Sequence, residues 1–120
     1  MSDIINITCC FLTIGFGLFG FLAPRYTAAA LDLETGQSTM GLSELRASVG
    51  GLFVVAGAGA LLIGHPVAFV MVGVAFVGAA LGRAVSLVLD KPPVAKVLLF
   101  GGIEAALAAA LIGANASAVF

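Results

Sequence analysis

PVAFVMVGVAFVGAALGRAVSLVL, residues 66–89, is the stretch whose reading decides the fold. It carries a single charged residue, Arg83, and shows no alternation of apolar with polar positions, so it does not read as a strand of a soluble sheet or of a membrane barrel. Crossing about 30 Å of hydrocarbon takes roughly 20 apolar residues at about 1.5 Å each, and backbone polar groups there must be satisfied within the segment. The stretch is therefore predicted to be a transmembrane helix. Asp90-Lys91-Pro92-Pro93 closes it with two charges and two residues that cannot continue a helix.

Working outward, the same composition recurs three more times, and the predicted spans are residues 4–23, 43–64, 66–89 and 94–114. The fold class expected is all-α: a polytopic membrane protein with a four-helix transmembrane bundle, forming one domain over residues 1–120. Pro24 is read as the end of the first helix, with Tyr26 at the headgroup boundary. Ser43 is read as the N-cap of the second, with Glu44 in its first turn. His65-Pro66 predicts a tight reversal between the second and third. In the short interfacial loop between the first two helices, Leu31-Asp32-Leu33-Glu34-Thr35-Gly36 alternates and then meets a turn residue, which predicts a small hairpin lying on the membrane surface. Asp3 stands where a signal peptide would carry basic residues, and no small-residue cleavage motif precedes Pro24, so the first segment is read as a retained anchor.

The whole composition agrees with these segments. Apolar residues make up 62% of the chain, charged residues only 9%, and the mean hydropathy is +1.23, which leaves too few charges to keep a soluble domain dispersed. Five Lys and Arg with a net charge of −1 argue against a nucleic-acid partner, because phosphate binding needs a basic stripe. Membrane lipids are the partners this composition does require. Cys9 and Cys10 are adjacent, where side chains diverge, so neither a disulfide nor a zinc site is expected. His65 has no second histidine or carboxylate near it in sequence and makes a poor haem or metal ligand. No Ser-His-Asp, CxxC, Walker or dinucleotide pattern occurs, so no catalytic residue, metal or cofactor is assigned.

Two further readings concern orientation and packing. With four crossings, Arg25, Arg46, Arg83, Lys91 and Lys96 all lie toward the side opposite His65 and both termini. The positive-inside rule then places the first and third loops in the cytoplasm and the termini outside. Helices in lipid associate through close approach at small residues. Gly101, Ala105, Ala109 and Gly113, with Gly102, Ala106, Ala110 and Ala114 beside them, form such a face. So do Gly78 with Gly82, Ala47 with Gly51, and Gly15, Gly17 and Gly20. These seams serve packing within the chain, and a homo-oligomer or larger membrane complex would use the same faces. Asn6, Thr8, Asn115 and Ser117 are expected to meet the membrane interface.

A charge placed centrally in a bilayer costs roughly 2.5–3.5 kcal/mol on insertion scales, so each one needs a partner or a task. Glu104 lies about ten residues beyond Val94, roughly 15 Å deep at about 1.5 Å per residue. Arg83 is about two turns in from Asp90, and Arg46 about one turn in from Ser43. One member from each of three helices predicts a buried cluster of Arg46, Arg83 and Glu104, with Arg83 and Glu104 the closest pair, and it leaves one surplus positive charge. Asp90 and Glu44, on the faces of Arg83 and Arg46, are candidates to absorb that surplus. Otherwise an anionic lipid headgroup or a small amphiphilic ligand suits the vacancy.

The run Gly41-Leu42-Ser43-Glu44-Leu45-Arg46-Ala47-Ser48-Val49-Gly50-Gly51-Leu52, followed by Gly82-Arg83-Ala84-Val85-Ser86, Asp90 and Glu104, resembles a family of short bacterial membrane proteins classed only as a domain of unknown function. That family is loosely similar to the DoxX-like group, though this chain is shorter than many of its members. The resemblance implies a four-helix protein of the bacterial inner membrane and no established activity. Three functions compete at this stage. The first is a non-enzymatic accessory subunit or binder of a lipid or small amphiphile at Arg46, Arg83 and Glu104, with Glu44 and Asp90 nearby. The second is a small proton-coupled transporter, although this first helix lacks a carboxylate after Asp3. The third is a membrane enzyme acting on a lipid-like substrate, for which only Glu104 lies deep enough.

Overall fold

The computed structural model describes residues 2–120. Among these residues the chain forms six α-helices and no strand: α1 (Ser2–Leu22), α2 (Pro24–Ala30), α3 (Met40–Arg46), α4 (Leu52–Ile63), α5 (Pro66–Leu89) and α6 (Val94–Val119). A π-helical turn over Ala47–Gly51 joins α3 to α4 in one span. Ser2–Leu22, Met40–Ile63, Pro66–Leu89 and Val94–Val119 are each long and apolar enough to cross a membrane. The all-α class and its four long helices match the expectation.

Several local expectations are corrected. No hairpin forms over residues 31–36. Ala28, Ala29 and Ala30 extend the short helix α2 up to this segment, and Asp32 and Gly36 take positive φ angles of 57° and 73°, which break an extended run. The first helix ends just before Pro24, at Leu22, as expected, but Pro24 also opens a second short helix, α2, where its missing N–H costs no hydrogen bond. Ser43 is not a cap, because the second span begins three residues earlier at Met40. The last helix runs five residues past the expected Ala114 to Val119, since no glycine or proline intervenes. The helix breaks at Gly64 and His65, between α4 and α5, where His65-Pro66 was expected to interrupt it. Gly64 sits at φ 67°, and His65 Nδ1 accepts a hydrogen bond from the Val67 N–H at 3.2 Å to cap α5.

The chain divides into two compact units, residues 10–62 and a second made of the start of α1 up to Cys9 with residues 63–120. In the first unit, α1 packs on the second span backbone to backbone. A Cβ on Gly20 would lie 2.5 Å from the Val49 carbonyl oxygen, and one on Gly50 would lie 2.6 Å from the Phe21 nitrogen. Gly17 faces the Val54 nitrogen and Gly57 the Cys10 carbonyl in the same way. This is the small-residue mechanism of helix association in lipid, and the π-turn lies at its closest approach.

In the second unit, α5 and α6 form an antiparallel pair. Gly73 lets them approach, since a Cβ there would meet Ile112 Cγ1 at 2.8 Å and Leu111 Cβ at 3.1 Å. Gly78, Gly82, Gly102 and Gly113 meet nothing within 4 Å, so these parts of the expected packing faces are open. Asn6 and Asn115 do not meet the interface. They are buried, and their amides exchange reciprocal hydrogen bonds of 3.0 and 2.7 Å, while Asn115 Nδ2 also donates to the Leu111 carbonyl at 2.7 Å. In hydrocarbon an unpartnered amide is costly, and each of these satisfies the other.

Candidate functional site

Antiparallel packing carries the register of Gly73 against Leu111 and Ile112 forward to Arg83 and Glu104. Arg83 Nε donates directly to Glu104 Oε1, forming an ion pair between α5 and α6. The stem of Arg83 crosses α6 at Gly101, where a Cβ would stand 3.4 Å from Arg83 Cδ. Its guanidinium carbon lies 5.4 Å from the centroid of the Phe100 ring, a cation–π contact. Phe100, Gly101 and Glu104 share one face of α6 at helical spacing, and together they position the guanidinium.

The expectation of a buried salt bridge is corrected: the side chains of Arg83 and Glu104 are 34% and 12% exposed. Glycine at 101 and 102 supplies no side chain to cover the pair. Among the described residues, hydrogen bonding by the chain uses only Nε of Arg83 and Oε1 of Glu104. The two Nη groups and Oε2, donors and acceptor, make no hydrogen bond among the described residues and are not buried.

An apolar groove of about 570 Å³ lies along the α5–α6 seam, walled by Val77 and Ala80 on one side and Ala105, Ala108, Ala109 and Ile112 on the other. Neither Arg83 nor Glu104 lines it. Arg83 stands three residues past Ala80 on α5, and its stem covers Gly101, one turn before Ala105 on α6.

The remaining predicted residues have other partners. Arg46, in the unit of residues 10–62, is exposed, and its Nη1 donates to the Phe21 carbonyl at 2.6 Å, next to the last residue of α1. That contact satisfies an orphan carbonyl and sets a cation against the negative end of the helix dipole. Glu44 accepts from Ser48 Oγ at 3.4 Å, and Asp90, at the end of α5, accepts from Ser86 Oγ at 2.9 Å. Both carboxylates are exposed and tied to a serine one turn away. The sequence reading missed Phe100, which stands four residues before Glu104 on a shared helix face, and it took Gly101, Ala105, Ala109 and Gly113 for a packing face, whereas the last three line the groove.

Four long apolar helices with a polar pair set among them define a multi-pass membrane protein. The family model described as Domain of unknown function (DUF4345) matches residues 1–114, and the chain belongs to that family. No curated protein and no solved structure matches the chain.

Proposed function

We propose that this protein is a non-enzymatic membrane component, an accessory subunit or carrier, that binds a lipid or small amphiphile at Arg83 and Glu104. The observation that carries the reading is a partly exposed ion pair held between two membrane-spanning helices, with atoms of both side chains left without a hydrogen bond from the chain. An amphiphile suits that setting, with a polar head at the pair and an apolar chain among the lipid-facing side chains around it. Its setting is the bacterial inner membrane, with the loops bearing Arg25 and Lys91 in the cytoplasm and His65 outside. The cation count supports that orientation.

The test is the double variant Arg83→Leu with Glu104→Leu, which removes both charges together and leaves neither unpaired. Purified in mild detergent and analysed by native mass spectrometry, the wild-type chain is expected to carry a co-purifying amphiphile that the folded double variant lacks. An identical lipid complement on the two proteins would overturn the proposal.

A further inference from the structure

We infer that a pocket beside α2 is a second lipid site, one that holds the head of a zwitterionic phospholipid carrying a primary ammonium, as in phosphatidylethanolamine. It shares no residue with the Arg83–Glu104 pair and does not rest on the reading given to that pair. The pocket has a volume of about 510 Å³, and Arg25, Ala28, Leu33, Glu34, Thr35 and Leu42 are among the residues that line it. A hydrogen-bonded cap fixes one wall. The Leu33 N–H donates to the Ala28 carbonyl at 2.8 Å and the Asp32 N–H to the Ala29 carbonyl at 3.2 Å, with Asp32 left-handed at φ 57°. The chain therefore leaves α2 through a Schellman turn, and Glu34 follows two residues after its left-handed position. A close approach fixes the other wall. A Cβ on Gly41, at the start of the second span, would stand 2.7 Å from Thr35 Cβ, so α3 packs directly on the residue that follows Glu34.

Charge decides the class of ligand. Among the described residues, the side chains of Arg25, Glu34 and Thr35 have no hydrogen bond or ion pair, and Arg25 is not bridged to Glu34 although both line the pocket. A cation and a carboxylate that share a pocket without meeting are matched by a head that carries both charges. Its phosphate accepts from the Arg25 guanidinium, and its ammonium donates to the Glu34 carboxylate. A purely anionic head would set a second negative charge beside Glu34, and a quaternary ammonium has no N–H to donate. Place decides the source. Residues 23–39 join two helices long enough and apolar enough to cross a membrane. Tyr26, next to Arg25, is exposed, and its ring centroid lies 6.0 Å from that of Phe19 in the last turn of α1. Tyrosine at the end of a span settles at headgroup level. Ala28, Leu33 and Leu42 give the pocket an apolar side, which suits the glyceryl end of a lipid and is wasted on a free, water-soluble zwitterion.

The experiment measures binding of three phospholipids with equal acyl chains, phosphatidylethanolamine, phosphatidylcholine and phosphatidylglycerol, and of soluble glycerophosphoethanolamine, to the full chain in detergent by native mass spectrometry. It is repeated on Arg25→Gln and Glu34→Gln, two exposed positions, with thermal unfolding as the check that each variant is folded. Both variants keep Arg83 and Glu104, so a lipid held at that pair is common to all three proteins and any difference reads this pocket. Phosphatidylethanolamine is expected to bind the wild-type chain about tenfold more tightly than the other two lipids, the scale of one charge-assisted hydrogen bond. Glu34→Gln is expected to bring it down to the level of phosphatidylcholine, and Arg25→Gln to weaken it by about tenfold as well. Phosphatidylglycerol binding as tightly as phosphatidylethanolamine, no binding of any lipid, or a preference left unchanged by both variants would overturn the inference. Glycerophosphoethanolamine binding as tightly as the lipid would assign the pocket to a free zwitterion and overturn the lipid source.

Discussion

Gly20→Leu is expected to unfold the half of the protein built from residues 10–62, or to lower its stability by about 3 kcal/mol, the upper end of what overpacking costs. The physical reason is the target of the clash. A Cβ at this position meets the carbonyl oxygen and carbon of Val49 at 2.5 and 2.7 Å, and backbone cannot swing aside as the tip of a flexible side chain can. Gly50→Leu is expected to act alike, because its Cβ would press on the Phe21 backbone from the other helix. Gly15→Leu is the matched control. It lies on the same helix as Gly20 with nothing within 4 Å, so its change is expected to stay within about 0.5 kcal/mol, as for open positions generally. Thermal unfolding followed by circular dichroism in one detergent compares the three. Equal melting temperatures for Gly15→Leu and Gly20→Leu would show that the helices do not meet at this glycine.

The second large effect belongs to the ion pair. Arg83→Leu leaves Glu104 without its cation, and Glu104→Leu leaves Arg83 without its anion, each among apolar side chains. Each single change is expected to destabilise by roughly 2.5–3.5 kcal/mol, the scale of an uncompensated charge in a membrane. The double change is expected to recover most of that loss, because two charges removed together leave nothing unpaired. The coupling from the double-mutant cycle then approaches the sum of the two single effects and is opposite in sign. A sum of independent effects, with the double variant worse than either single, would show that the two side chains do not depend on each other.

The long helices were legible because lipid imposes a length and a composition that few other structures share, and residues 66–89 meet both without interruption. Their ends were less so. Pro24 marked the end of α1, but a proline is equally at home at the start of a helix, and nothing around it announced that α2 begins there. The alternation in residues 31–36 is too short to make a hairpin against a left-handed Asp32. The Arg83–Glu104 pairing was legible from depth alone, since consecutive antiparallel helices bring matched depths together. The contact of Arg46 with a carbonyl 25 residues away was not, because a backbone acceptor leaves no mark in a sequence. Nor was the union of Asn6 with Asn115 across 109 residues, which depends on the two elements meeting and on nothing local to either. The π-turn at Ala47–Gly51 has no residue signature either. It is recognised only once Gly20 and Gly50 are seen in contact.

The claim beneath all of this is that the four long helices lie across a bilayer, with successive loops on opposite faces. Labelling with a membrane-impermeant maleimide in intact cells and in inverted vesicles tests it, using single cysteines at Gln37→Cys, His65→Cys, Lys91→Cys and Val74→Cys; the native Cys9 and Cys10 are buried and serve as the unlabelled background. The expected pattern is labelling of His65→Cys from outside only, of Gln37→Cys and Lys91→Cys from the cytoplasmic face only, and of Val74→Cys from neither. Labelling of Gln37→Cys and His65→Cys from the same face, or ready labelling of Val74→Cys, would contradict it.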